Sequence, residues 1–332
     1  MSEKIIDKPE NFIMKKLTIA VDTMGGDHGP GVAVKGACAA INEYPFLEIL
    51  LIGPQKLLEA EFTTIPKPSR IKLIHAPDVI TPDESPTLAF RRKKESTIVV
   101  GLKLVKESIA NGFVSAGSTG ALLTGATVVI GRKQGIERPV LCTQLPNAKR
   151  KYTLLADSGA NTDCKPSYFV QFAELSAEYA EKVLKNKNPT VGLVNVGAEE
   201  NKGNEVVKEA YTLLKNSGLN FIGNIEGREL INGNVDIVVC DGFTGNIVLK
   251  LLEGFPRTMF GMIREEFMSS FTSMLGARLS KSAFMRLRKR FDYREVGGAP
   301  FLGLKSMVIK AHGSSDELAF KNAIKQCVLY EE

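Results

Sequence analysis

Short apolar runs of strand character alternate with helical patterns along the chain, and this alternation constrains the fold more than any other feature. The strand runs lie at 17–21, 47–53, 70–75, 112–116, 152–156, 191–196, 219–223, 235–240 and 306–311. Helical spacing of apolar residues lies between several of them, at 97–111, 167–186, 203–217 and 315–329. Continuous apolar strands that alternate with helices are typical of a mostly parallel sheet covered on both faces. The sequence therefore predicts a single α/β/α unit.

The composition agrees with one globular enzyme-sized unit. The 332 residues are 44% apolar and 24% charged, and no Ser/Gly-rich linker divides them. The uncharged stretch 112–131 has the length of a membrane span, but half of it is Gly, Ser and Thr, which favours a strand, a turn and a helix. Five cysteines without a CxxC pair indicate reduced thiols in a cytoplasmic protein.

Polar, glycine-rich loops follow six of the predicted strands. They lie at 22–29, 117–120, 157–165, 197–203, 241–246 and 312–316. In a parallel sheet such loops share the carboxyl edge, where α/β folds bind ligands. Backbone N–H groups and helix N-termini there could hold a small oxyanion. Taken alone, Gly-Ser-Thr-Gly and Gly-Phe-Thr-Gly-Asn are more typical of tight turns with helix caps than of a binding site.

Several familiar active-site motifs are absent from the sequence. It has no GxGxxG dinucleotide loop, no GxxxxGK[ST] nucleotide loop, no GxSxG elbow and no metal-ligand cluster. Cys164 has no neighbouring base that would make it a nucleophile. We therefore expect an enzyme that needs no cofactor and no metal.

The positive charge is concentrated near the C-terminal third. The net charge of the chain is +6, and residues 278–294 contain seven basic residues but one acidic residue. Such a segment fits an acidic partner, which could be an anionic membrane, an acidic protein or nucleic acid. The alternative is a solvated helix face.

Eight long motifs, in order, resemble one family. They are IAVDTMGGDHGP (19–30), FRRKKEST (90–97), SAGSTGALLTG (115–125), LADSGANTDCKP (155–166), GLVNVGAEENKGNE (192–205), DGFTGNIVLK (241–250), FDYREVGGAPFLGLK (291–305) and VIKAHGSSD (308–316). The chain resembles the bacterial PlsX-type phosphate acyltransferases from about Met14 onward. Thr23 and Gly29 replace residues that are commoner in the family. We expect one domain over 14–330, and a tail or an over-long start over 1–13.

The resemblance implies a Rossmann-like fold, similar to phosphotransacetylases and isocitrate-dehydrogenase-like enzymes, with a projecting helical hairpin over 250–292. It implies transfer of a long-chain acyl group from acyl carrier protein to inorganic phosphate. The acyl phosphate would feed a glycerol-3-phosphate acyltransferase. A homodimer is implied, and a nucleic-acid partner is not.

Within that resemblance, candidate residues fall into two roles. For catalysis we expect His28 to polarise the carbonyl or protonate the leaving thiolate, oriented by Asp22 or Asp27, with Lys165 and Asn246 holding phosphate. The further phosphate-binding candidates are Ser118, Thr119, Gly120, Asn161 and Gly245.

The basic segment also carries apolar stripes with helical spacing. Residues 260–274 and 284–291 predict two helices, with a bend near Leu275 and Gly276. The stripes could pack against each other or a partner subunit. Apolar residues at the bend, surrounded by cations, instead predict a cytoplasmic enzyme bound peripherally to anionic membrane. The candidate contact residues are Leu275, Arg278, Leu279, Lys281 and Arg288.

Two other functions fit part of the sequence. A short-chain phosphotransacetylase that uses acyl-CoA would share the fold and phosphate, but would leave the basic segment unexplained. A non-enzymatic scaffold at the membrane would explain the basic segment, but not the polar loops.

Overall fold

The computed structural model describes residues 16–81 and 83–331, so the expectation for residues 1–13 lies outside the described part. One sheet of eleven strands organises these residues, in the order β3-β2-β1-β4-β11-β10-β5-β6-β9-β7-β8. The strands are β1 Leu17–Asp22, β2 Leu47–Gly53, β3 Ile71–His75, β4 Gly112–Ser115, β5 Val140–Pro146, β6 Tyr152–Ala156, β7 Val191–Asn195, β8 Phe221–Glu226, β9 Ile237–Val239, β10 Gly298–Leu302 and β11 Met307–Ala311.

Helices cover both faces of this sheet. They are α1 Pro30–Glu43, α2 Gln55–Glu61, α3 Pro86–Arg92, α4 Thr97–Lys106, α5 Thr119–Val129, α6 Pro166–Leu184, α7 Glu205–Lys215, α8 Gly242–Met268, α9 Phe271–Arg290 and α10 Glu317–Glu331. Consecutive residues of β1 enter different cores, because side chains alternate across a strand. Ile19 and Val21 belong to the core that includes residues of α1, α6 and α10, whereas Ala20 belongs to the core that includes residues of α4 and α5. The predicted three-layer α/β/α architecture is therefore confirmed.

The strand direction reverses in the middle of the sheet. Strands β1 to β4 and β11 run parallel to one another, and so do β6 to β9. Between these groups, the pairs β11/β10, β10/β5 and β5/β6 are antiparallel. The two parallel groups consequently point in opposite directions. The expectation that all six polar loops share one edge is wrong, because it assumed one direction throughout.

Two strands at this reversal have no counterpart in the sequence-based prediction. Strand β10 contains Gly298 and Pro300, which are typical of turns, and β5 ends at Pro146. Pro300 is tolerated here because the paired segment is short, extending from Gly298 to Pro300 opposite β11. All nine predicted runs are strands, with the run at 219–223 shifted to β8.

Helices α8 and α9 form the predicted hairpin. The rings of Phe267 and Phe284 pack edge to face at 5.3 Å between centroids, joining the two helices. The turn lies at Ser269 and Ser270, not at the predicted bend, and Gly276 lies inside α9. Ser270 ends the turn because its hydroxyl oxygen accepts the N–H of Ser273 at the start of α9 (3.2 Å).

Among the described helices, α8 and α9 included, none combines the length and apolarity needed to cross a bilayer.

Candidate active site

A cavity of about 730 Å³ lies where the two groups of strands meet. Its walls come from β5, the loops after β4 and β6, helix α8, the last turn of α9 and the ends of β10 and β11. One region is polar and contains Thr119, Ser158, Asn246, Lys310 and His312. Another is apolar, with side chains of Leu145, Ile231, Leu249, Leu252 and Phe291. Polar groups that converge beside an apolar channel are typical of a substrate site.

Lys310 places an amine at the polar region from the end of β11. Its Nζ donates to the carbonyl oxygen of Ala116 at 3.2 Å, directly before the loop that begins α5. Burial, and to a smaller extent nearby Lys250, lower the pKa of Lys310 to about 8, while Asp22 and Asp27 oppose the shift. The amine therefore exchanges its proton at a pH not far above neutral.

His312 lies beside Lys310 in a network of charged groups. Its Nδ1 accepts the backbone N–H of Ser314 at 3.2 Å. Its Nε2 lies 3.4 Å from Lys250 Nζ and 3.7 Å from Glu253 Oε2. Burial lowers the pKa of His312, and Glu253 partly offsets that change. The imidazole is thereby oriented and favoured in its neutral form.

The start of α5 borders the same polar region. Ser118 is the N-cap of α5, and its Oγ accepts the N–H of Ala121 at 3.4 Å. Thr119 lines the cavity. Gly120 packs against Pro86, where a Cβ would lie 2.8 Å from the ring. A helix N-terminus at a cavity favours an anion.

Asp157 shapes the loop after β6 from inside. Its carboxylate accepts N–H groups from Leu141, Gly159, Ala160 and Asn161, at distances between 2.6 and 3.2 Å. Burial raises the pKa of Asp157, and these hydrogen bonds oppose the shift. The loop thereby presents Ser158 and Gly159 to the cavity.

Two of the predicted phosphate ligands instead hold this region together. The Asn161 side-chain amide donates to Asp157 Oδ2 (2.8 Å) and to the carbonyl oxygen of Pro139 (2.9 Å). The Gly245 N–H donates to the Asp241 carbonyl oxygen at 3.0 Å, and a Cβ at Gly245 would lie 1.8 Å from the Asp157 carbonyl oxygen. Their polar N–H groups are thus already engaged within the protein.

The predicted catalytic residues do not all lie at the cavity. Asn246 lines the cavity, and Asp27 reaches its rim because its N–H donates to the Gly313 carbonyl oxygen at 2.8 Å. His28 and Lys165 are exposed and are not among the residues that line the cavity.

Asp22 is buried behind this region. Its Oδ2 accepts the Ser115 hydroxyl at 2.7 Å, its Oδ1 accepts the Met24 N–H at 3.0 Å, and burial raises its pKa. It therefore positions the loop after β1.

The membrane and partner candidates lie on α9, away from the polar region. Leu275 and Leu279 are 53% and 78% exposed. Arg278, Lys281 and Arg288 are also exposed, and none of them pairs with a carboxylate among the residues that the structure describes.

Sequence reasoning did not assign roles to Lys310 and His312. A lysine within a β-rich run is usually an exposed residue on an edge or face, so its burial became visible only with the fold. A usable signal did exist: His312 is one of three histidines, and it begins a polar loop directly after the last strand.

No group of three or more His, Cys, Asp or Glu side chains forms a metal-binding cluster within residues 16–81 and 83–331. The polar region of the cavity instead combines amines, hydroxyls, an amide and an imidazole. These are donor groups suited to an oxyanion.

The sequence matches the family described as "Fatty acid synthesis protein" over residues 17–329. It is 48% identical over 317 residues to a phosphate acyltransferase of Clostridium novyi, covering 95% of each chain. It is 49% identical to the phosphate acyltransferase of Brevibacillus brevis, covering 93% of this chain and 92% of that relative. A third relative of the same name, from Clostridium botulinum strain Loch Maree, is 50% identical over 93% of this chain.

Solved structures with the same fold have much lower identity. A phosphotransacetylase from Streptococcus pyogenes superposes with a TM-score of 0.64 at 19% identity, covering 96% of this chain and 95% of that one. The EutD phosphotransacetylase from Staphylococcus aureus gives 0.60 at 16% identity, covering 95% and 94%. At these identities the likeness concerns the fold, and it agrees with the predicted similarity to phosphotransacetylases.

Proposed function

Since this chain belongs to the PlsX-type phosphate acyltransferase family, we propose that it transfers a long-chain acyl group from acyl carrier protein to inorganic phosphate. The products are an acyl phosphate and free carrier protein. Identity of 48–50% to phosphate acyltransferases over nearly the whole chain favours this reaction over the short-chain alternative that uses acyl-CoA.

The observation that carries the proposal is the joining of two environments in one cavity. The polar region can hold phosphate and the thioester carbonyl, and the apolar wall can take part of an alkyl chain. An acetyl group would leave the part of the cavity beside Leu249 and Leu252 unfilled.

The reaction needs no acylated side chain. A phosphate oxygen attacks the thioester carbonyl carbon, a C–O bond forms, and the electron pair of the carbonyl moves onto its oxygen. When that pair returns, the C–S bond breaks and the sulfur leaves with its electrons, taking up a proton. The protein must align the two reactants and stabilise the developing oxyanion.

The cavity offers groups for each task. Thr119, the start of α5 and Asn246 hold the phosphate, with Lys310 in its protonated form as the counter-charge. His312 donates a hydrogen bond to the carbonyl oxygen, or passes to sulfur the proton that the attacking hydrogen phosphate gives up. Asp27 at the rim raises the pKa of both Lys310 and His312.

Five other candidates have supporting roles outside the reacting groups in this proposal. Ser118 and Gly120 shape the start of α5, and Asp22 supports the adjoining loop. His28 and Lys165, exposed outside the cavity, could attract the anionic substrate.

Phosphate dependence tests the function directly. Purified protein with palmitoyl-acyl carrier protein should release free carrier thiol only when inorganic phosphate is present, and the acyl product should be trapped by hydroxylamine as the hydroxamate. Acetyl-CoA should be a poor substrate under the same conditions. Thiol release without phosphate, or faster turnover of acetyl-CoA, would contradict the proposal.

The proposal also covers the location of the enzyme in the cell and its oligomeric state. We place it in the cytoplasm, peripherally bound to anionic membrane through the exposed start of α9, where the product meets a glycerol-3-phosphate acyltransferase. An exposed apolar stripe on α8 supports a homodimer, with side chains of Phe243, Ile247, Leu251, Phe255 and Met262.

A further inference from the structure

A second cleft, of about 530 Å³, adjoins the cavity at the base of the helical hairpin. It lies between the β5–β6 turn and the last two turns of α9. Its cationic side chains are Arg150, Lys151, Arg286 and Arg290, and none of the described residues that line it is acidic. Pro146, Tyr152, Arg286 and Arg290 border both the cleft and the cavity, so the two spaces adjoin.

The turn that carries these charges is built rigidly. The buried Asn147 side chain accepts the N–H groups of Lys149 and Lys151 through Oδ1, each at 3.1 Å. Arg150 occupies a left-handed conformation with φ of 60°, which costs a non-glycine residue free energy. Arg290 fixes the turn from α9 by donating to the Asn147 carbonyl oxygen at 3.0 Å. Three consecutive cations are thereby directed outward.

These charges have no ion-pair partner in the part of the chain that the structure describes. Across the described ranges, no carboxylate lies within ion-pair distance of Lys149, Arg150, Lys151, Arg286 or Arg290, although Lys289 nearby pairs with Glu295 at 3.5 Å. Clustered cations repel one another, so an unneutralised group at a cavity mouth favours binding of an anionic partner.

On the basis of the proposed function, we propose that this cleft docks the carrier protein, binding the phosphodiester that joins its pantetheine arm and the acidic side chains around it. A thioester whose carbonyl reaches the polar region must leave its carrier outside the cavity but next to it, and the cleft adjoins the cavity through four shared residues. The apolar membrane candidate Leu275 lies elsewhere, because it is about 17 Å along α9 from Arg286 at 1.5 Å rise per residue.

Charge reversal in the turn tests docking without touching the cavity lining. The variant combines Arg150→Glu with Lys151→Glu. The matched control combines Lys56→Glu with Lys103→Glu, two exposed lysines on α2 and α4 with the same change in net charge. Titration calorimetry measures binding of unacylated holo-acyl carrier protein, which does not depend on turnover.

The cleft variant should weaken carrier binding about tenfold or more, whereas the control should bind as the parent does. The KM for palmitoyl-acyl carrier protein should rise in parallel, and the KM for palmitoyl-pantetheine, which lacks both the phosphodiester and the carrier, should stay the same. Raising the salt concentration should weaken carrier binding to the parent and have less effect on the variant.

Unchanged carrier binding in the cleft variant would overturn the proposal, and so would an equal rise of KM for both thioesters. Loss of binding to phosphatidylglycerol vesicles with normal carrier binding would instead assign the cleft to the membrane. These outcomes are distinct from failure of the proposed function, which would be absence of phosphate-dependent turnover in the parent.

Discussion

Lys310 makes a structural contact and also lines the cavity in which we propose that the reaction occurs. It extends from the last residues of β11 into the cavity, and its amine contacts the Ala116 carbonyl oxygen, just before the loop that begins α5. In a buried site an ammonium group is costly unless an anion accompanies it. Phosphate would supply that anion, so binding and protonation of Lys310 should be coupled.

The pH dependence of the reaction should therefore report on Lys310. The protonated amine is the form that holds phosphate, and its pKa of about 8 predicts that kcat/KM for phosphate falls as pH rises through that value. Lys310→Arg keeps its charge at higher pH, so the fall should disappear or move upward. Lys310→Met should lower kcat/KM by about 10²-fold, the scale for a lost preorganised donor.

Measuring the stability of these variants distinguishes loss of the amine from loss of folding as the cause of lower activity. The pKa of Lys310 is lower in the folded state than in the unfolded state, so the unfolded state binds more protons between about pH 8 and the ordinary pKa of 10.5. Stability therefore rises with pH across this window. Below about pH 8 the cost of burying the charged amine is present in full. Lys310→Met removes this cost and should be at least as stable as the parent at neutral pH. If the fall of kcat/KM at alkaline pH persists unchanged in Lys310→Arg, a group other than Lys310 is responsible for it.

Residue types in the loops could be predicted, but their division of labour could not. Asn246 and Thr119 were identified because amides and hydroxyls in glycine-rich loops suit an oxyanion, and both line the cavity. Asn161 has the same chemistry, yet Asp157 engages its amide. Whether a donor is free or engaged depends on contacts between distant segments, which spacing along the chain does not show.

At the scale of elements, α8 connects the site to the outside of the molecule. Asn246, Leu249, Lys250 and Glu253 lie on the face that lines the cavity, at helical spacing. The start of α8 is held against the loop after β6, because Gly245 lets its backbone reach the Asp157 carbonyl oxygen. Close contact of these backbones fixes Asn246 beside Gly159.

Two glycines of α8 give a matched test of this contact. Gly245→Ala should lower the free energy of unfolding by about 3 kcal/mol, since its Cβ would lie 1.8 Å from backbone that cannot yield easily. Gly254→Ala has no atom within 4 Å and should be neutral or stabilising by up to about 1 kcal/mol, because alanine favours helix. Thermal unfolding of both variants measures the difference. Equal midpoints would show that the contact at Gly245 is not tight.

The start of α9 gives a second test at this scale. Leu275→Glu with Leu279→Glu removes two exposed apolar side chains and adds negative charge, so the enzyme should no longer sediment with phosphatidylglycerol vesicles. Ser280→Glu with Ser282→Glu adds the same charge without removing apolar area and should retain part of the binding. Turnover of palmitoyl-pantetheine in solution should be normal in both. Full vesicle binding by the leucine variant would exclude this surface as the anchor.

Over the whole molecule, the local pattern predicted the layers but not the direction of the strands. Alternation of strands and helices gave both covered faces, because each βα unit buries its own apolar side. The reversal depends on β5 and β10, whose pairing covers only Leu141 to Phe301 and Val140 to Leu302. Such a short, long-range contact has a weak sequence signal. It nevertheless creates the site, since the cavity lies where the two parallel groups meet.

The final prediction concerns the association of two copies. Phe243, Ile247, Leu251 and Phe255 repeat every four residues on α8, and all four are exposed. A twofold axis would let this stripe pack against its own copy, burying apolar area and bracing the helix that carries the site. Light scattering should therefore give a dimer for the parent and a monomer for Leu251→Arg with Phe255→Arg.

The control for association combines Met268→Arg with Met285→Arg, two exposed apolar side chains outside the stripe. It adds the same charge and should remain dimeric. If α8 needs bracing, the monomeric variant should also have a higher KM for phosphate, because Asn246 and Lys250 would no longer be held in register with the loop after β6. A dimer that survives the stripe substitutions would assign the association to another surface and leave the α8 stripe without this partner.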